Sequence, residues 1–181
     1  HLSPGCDPVH KVSIISRGHA AGYTLKLPIE ERKLESRKEF LDDIAVSLGG
    51  YATEELIFGD ITTGASNDIA MATFVARNMV TKYGMSAKIG PVAVDLGGQK
   101  YFTGGGGLLE KFSSEAVSAT VDDEVSKIMA QALSRAKELL LTHRPALDAL
   151  AVELIRVETI EREDFEKMVG KPKILPAFAK F

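Results

Sequence analysis

Asp68 is the residue whose type and position most invite chemistry. At about 100° per residue it shares a helical stripe with Ala72, Val75, Met79 and Tyr83. A carboxylate on an apolar stripe costs free energy unless a partner satisfies it. Three partners suit it: the free N–H groups of a helix start, a buried Arg or Lys, or a metal ion. Ser66, Asn67 and Asp68 are also residue types that favour a first helical turn, so capping is the plain alternative. Glu54 and Glu55 form a second acidic candidate, for which ordinary surface charge is the commoner fate. The four histidines, His1, His10, His19 and His143, are scattered, and no two stand at the i, i+4 spacing of a metal-binding helix face. His143 falls at a helix C-terminus, where partial positive charge suits the dipole, and His10 just before a strand reads as structural. HExxH, GxxxxGK[ST] and GxSxG are all absent, so the chain carries no complete zinc helix, no P-loop and no nucleophile elbow.

The elements that must position these residues read as mainly α with a small N-terminal β element. Val12 and Ile14, then Tyr23, Leu25 and Leu27, alternate with Ser13, Thr24 and Lys26, which predicts a hairpin or two edge strands with a turn between Gly18 and Gly22. From Ser36 the period becomes helical through Phe40, Leu41, Ile44 and Leu48 to Leu56 and Ile57. Gly49-Gly50 interrupts it, marking either a kink or a close backbone approach. A loop over Gly59 to Gly64 leads into a helix from about Asn67 to Tyr83, stopped by Gly84. Gly97-Gly98 and Gly104 to Gly107 predict a mobile loop. A long helix follows to His143, marked by Val117, Val121, Val125, Ile128, Ala132, Ala136 and Leu139. Pro145 opens a second helix running to Val157, and Thr159 is expected to cap a third that ends at Gly170. Residues 1–170 read as one domain and 171–181 as a flexible tail.

Composition restricts the function classes. The chain has 181 residues with 22 Lys+Arg against 25 Asp+Glu, which disfavours a nucleic-acid partner. Cys6 is the single cysteine, so an intrachain disulfide and a Cys-based zinc site are both excluded. No run approaches the roughly 20 apolar residues that span a bilayer, and no signal peptide is legible. His1 without a preceding Met suggests a piece of a longer chain.

Several ordered blocks carry a resemblance. Pro4-Gly5-Cys6-Asp7-Pro8-Val9-His10-Lys11-Val12, Gly22-Tyr23-Thr24, and Leu48-Gly49-Gly50 followed by Ala52-Thr53-Glu54-Glu55-Leu56 are similar to successive segments of the FtsH-type ATP-dependent zinc metalloproteases. Thr62-Thr63-Gly64-Ala65-Ser66-Asn67-Asp68 is the strongest match, continued by Arg77-Asn78-Met79-Val80, Tyr83-Gly84-Met85-Ser86 and Gly90-Pro91. The stretch from Val121 to Phe165 fits more loosely.

The resemblance implies a mainly helical zinc peptidase domain, behind a separate ATPase module and membrane segments that lie outside this chain. It implies one zinc per chain, bound by two His of an HExxH helix and a distant Asp, whose matched position here is Asp68. Glu54 matches an acid close to that zinc, orienting rather than binding. The implied enzyme is a homo-hexamer that degrades unfolded or membrane proteins processively, with this domain on the cytoplasmic side of a bacterial inner membrane, or else in a mitochondrial or chloroplast membrane. The HExxH helix should end shortly before His1, so the chain alone is expected to be inactive and His1 is no ligand. The alternative is a helical oligomerisation module of a degenerate, non-catalytic relative. An edge strand, Val12 to Ile15 or Tyr23 to Leu27, is expected to hold extended substrate by strand addition.

Overall fold

A computed structural model describes residues 1–16, 22–28, 34–94 and 114–173. Strand β1, Val9–Ser13, pairs antiparallel with β2, Tyr23–Lys26, as the alternating pattern predicts. The helices are α1, Arg37–Ser47; α2, Gly49–Phe58; α3, Ser66–Thr81; α4, Glu115–Thr142; and α5, Arg144–Val157. After α5 come β3, Thr159–Glu161, and α6, Arg162–Val169. The expected turn around Gly18, the glycine-rich loop over Gly97 to Gly107 and the tail beyond residue 173 lie outside the described residues.

Two expectations are corrected by the sheet. Its order is β2-β1-β3, so β1 is the central strand and Val12 to Ile15 is no open edge. Thr159 is not a helix cap but the first residue of β3, paired with Ser13, while Val12 pairs with Ile160. The reason is tertiary. Glu158, at φ 58, turns the chain out of α5, and its carbonyl accepts from the Ile14 N–H at 3.0 Å. Two β-branched residues then meet the second edge of β1, and Ile160 is buried against Val9 and Phe165. Leu150, Leu154, Met168 and Val169 complete this small core. It fastens the sheet to the C-terminal helices.

The main core is helical. Ser36 caps α1 with a capping box: its hydroxyl accepts from the Glu39 N–H at 3.3 Å, and Glu39 accepts from the Ser36 N–H at 2.6 Å. Ile44, Ala45 and Leu48 from this helix and its end pack against Ala72, Ala76, Met79 and Val80 of α3 and Val121, Val125, Ile128 and Ala132 of α4. The alanines let the three helices approach closely, and full burial of Met79 removes enough apolar surface for about 1.5–3 kcal/mol. At Gly49-Gly50 the helix breaks after Leu48 and a new one starts. A Cβ on either glycine would meet nothing within 4 Å outside the local helix, so the pair marks a kink rather than a close approach. Pro145 sits in the first turn of α5 and His143 at the end of α4, as expected. Among the described residues no helix is long and apolar enough to cross a membrane.

Candidate metal centre

Asp68 lies in the first turn of α3 and is exposed. Along its stripe Ala72 and Met79 are buried, Val75 is half-buried, and Tyr83 is exposed but stacked on Phe40 at 5.4 Å. The carboxylate therefore stands where the buried stripe runs out into solvent. A single 3₁₀ turn, Thr63–Ala65, feeds directly into α3, and the helix start makes no side-chain capping hydrogen bond. No described residue bonds or pairs with the Asp68 carboxylate. Of the three partners open to it, a buried cation is not provided by the described residues, and the helix start offers only its dipole.

Glu54, half-buried on α2, holds the approach to this turn. One of its oxygens accepts from the Thr62 N–H and the other from the Thr62 hydroxyl, both at 2.8 Å. The same hydroxyl accepts from the Gly64 N–H at 3.1 Å. A side chain at Gly64 would crowd this arrangement, since its Cβ would come within 3.2 Å of Thr62 Oγ1 and 3.5 Å of Glu54 Oε1. Glu55 does something different: it pairs with Lys137 of α4 at 2.8 Å, a partly exposed ion pair contributing at most about 1 kcal/mol. The neighbouring acids are thus split between bracing the loop before α3 and tying α2 to α4. Thr62 opens the most strongly matched block, but its contact with Glu54 was not expected. The signal for it is a Thr two residues before a Gly, the pattern of a hydroxyl that bonds a backbone N–H ahead of it.

The histidines fall elsewhere. His1 is held through both ring nitrogens, Nδ1 accepting from the Val9 N–H at 3.4 Å and Nε2 donating to the Gly170 carbonyl at 2.9 Å. Its ring stands edge-on to Phe165 at 4.9 Å, so it packs against the small C-terminal core. His10 lies within β1 rather than before it, and His19 lies outside the described residues. A mostly apolar cleft of about 260 Å³, lined by Ala136, Leu139, Leu147, Leu150, Phe165 and Val169 among others, includes neither Asp68 nor Glu54. Cys6 is buried, its thiol donating to Asp43 Oδ1 at 3.3 Å. Burial, then the Asp43 charge, pushes its pKa up to about 12, so it is inert near neutrality.

Among the described residues no group of three His, Cys, Asp or Glu could hold a metal ion. An Asp oxygen suits zinc, so Asp68 fits as one ligand of a set whose other members are not among the described residues.

Comparisons with known proteins agree on one family. The model of peptidase family M41 matches residues 1–168. The chain is 45% identical over 169 residues to the ATP-dependent zinc metalloprotease FtsH of Thermotoga maritima, covering 93% of this chain and 28% of the relative. It is 41% identical over 174 residues to the ATP-dependent zinc metalloprotease FtsH 4 of Sphaerobacter thermophilus, covering 96% and 26% respectively. FtsH 3 of Petrotoga mobilis is 45% identical over 171 residues, covering 94% and 26%. The chain thus spans about a quarter of the length of these relatives. With residues 1–168 of its 181 inside the matched span, from ahead of β1 into α6, the chain belongs to peptidase family M41.

Proposed function

We propose that this chain is the part of a zinc-dependent endopeptidase that follows its metal helix, and that Asp68 is the third protein ligand. The observation that carries this reading is an aspartate carboxylate engaged by no described residue, at the end of a loop braced by hydrogen bonds. The relatives' printed names, ATP-dependent zinc metalloproteases, supply the metal and the reaction class. When bound, zinc supplies Lewis acidity toward water and toward the carbonyl of the bond to be cut. The two His ligands and the general-base Glu belong to an HExxH helix preceding residue 1, so this chain contributes Asp68 and the frame that places it. Glu54 orients rather than binds: both its oxygens accept hydrogen bonds from Thr62, which commits the carboxylate to the loop before α3.

The β2 strand is the natural substrate rail. It lies at the outer position of the sheet and its side chains are mostly exposed, so an extended peptide adding to it would gain main-chain hydrogen bonds. That mode suits unfolded protein substrates, since it reads backbone before side chain. The ATPase module, the membrane anchor in a bacterial inner membrane and the homo-hexameric assembly belong to the longer protein.

The test is cleavage of a loosely folded protein by the full-length protein supplied with ATP and zinc. Asp68→Asn is expected to lower the rate by at least about 100-fold. The 181-residue chain alone is expected to cleave nothing. Full activity in Asp68→Asn, or zinc-dependent cleavage by the chain alone, would contradict the assignment.

A further inference from the structure

The Glu54–Thr62 contact is more complete than a stray surface hydrogen bond. Thr62 uses its N–H and its hydroxyl to occupy both oxygens of one carboxylate, at 2.8 Å each. The hydroxyl then accepts from the Gly64 N–H at 3.1 Å, so a single side-chain atom joins α2 to the turn that opens α3. The segment between is bounded by fixed points. Ala52 of α2 is fully buried, Gly59 leaves that helix in the left-handed region at φ 67, and Ala65 is 4% exposed directly before α3. From Ser66 the backbone is helical, so Asp68 stands within the first turn after the braced Gly64–Ala65 segment, ahead of the part of α3 that the core holds from Ala72 onward.

We infer that Thr62 is a positioning residue: its hydroxyl passes the hold of Glu54 to the Thr63–Ala65 turn and so fixes where the Asp68 carboxylate stands before any metal arrives. This rests on reading Asp68 as a zinc ligand. Hydrogen bonds to a charged acceptor are the stronger kind, and preorganised supports of this sort typically govern metal affinity by 10-fold or more. The contacts are exposed to water, so their loss registers in affinity and local order more than in global stability.

Two measurements test the inference. In the full-length protein, zinc affinity is determined by competition with a chromogenic chelator for wild type, Thr62→Val, Thr62→Ser and Asp68→Ala. Thr62→Val removes the hydroxyl at nearly constant volume and is expected to weaken zinc about 10-fold, while Thr62→Ser stays within about 2-fold of wild type. In the metal-free 181-residue chain, amide exchange at Gly64 is expected to speed up in both Thr62→Val and Glu54→Gln. Exchange at buried Val80 stays slow in both, showing that the fold is intact.

If Asp68→Ala abolishes zinc binding but Thr62→Val binds like wild type, the clamp is wrong and the ligand assignment survives. Equal weakening by Thr62→Ser and Thr62→Val also overturns it, because the hydroxyl is then irrelevant. Unchanged Gly64 exchange in the variants does the same. If Asp68→Ala leaves zinc affinity untouched, the ligand assignment itself fails and the clamp falls with it.

Discussion

Replacing Gly5 with alanine tests how the N-terminal turn is seated on α1. The Gly5 N–H donates to Asp42 Oδ2 at 2.9 Å, and Asp42 is itself buried. A Cβ at this position would lie 2.9 Å from that same oxygen, 2.9 Å from the Glu39 Cα and 3.2 Å from the Glu39 Cγ. Gly5 does not occupy the left-handed region, so the cost comes from space and not from backbone conformation. The Glu39 Cα is helix backbone and cannot swing aside. The turn must lift, which strains packing at about 1–3 kcal/mol. Lifting also weakens a hydrogen bond to a buried carboxylate, a further loss of about 1.5–3 kcal/mol. The two losses share one movement, so about 3 kcal/mol in total is the expectation, or roughly 9 °C in Tm for a chain of this length. Urea unfolding with an unchanged m value reads it directly. Gly49→Ala is the control, because its Cβ meets nothing within 4 Å and alanine favours the helix by up to about 1 kcal/mol. A loss below about 1 kcal/mol for Gly5→Ala would refute the argument that this turn is seated by close contact.

Other expectations concern the core and the thiol. Met79→Ala, at a fully buried position facing α1 and α4, is expected to cost about 2–5 kcal/mol in the same unfolding assay. Cys6 has a folded pKa of about 12 against an ordinary 9.0, so between those values the folded state keeps a proton that the unfolded state has lost. Stability is therefore fully present below pH 9.0 and falls as pH rises toward about 12, by at most about 1.4 kcal/mol per unit. Unfolding of Cys6→Ala across that range should lack this component of the slope.

Local pattern made much of the fold legible. Helical periodicity placed the core faces of α1, α3 and α4, because buried stripes such as Ala72 and Met79 or Val121, Val125 and Ile128 repeat in sequence as they do in space. Alternation likewise marked β1 and β2. Thr159 was misread because its partner, β1, lies about 150 residues away, and a threonine hydroxyl ahead of a helix also makes a plausible cap. Val12 to Ile15 failed as an edge for the same reason: whether a strand is central depends on what pairs with its second side. Near the start of α3, Asp68 drew notice by sharing a stripe with Ala72 and Met79, and the structure places it exposed where that stripe ends. The contact between Thr62 and Glu54 was not legible, since it depends on how α2 resumes after the break at Leu48, a phase that Gly49-Gly50 leaves undetermined in sequence.

The most direct test of Asp68 as a zinc ligand is zinc per chain by elemental analysis. It is made on this chain and on one extended upstream by about 50 residues, each with and without Asp68→Ala. Near-stoichiometric zinc is expected in the extended wild-type chain alone. Absence of zinc from that chain, or the same zinc content with and without Asp68→Ala, would contradict the ligand assignment.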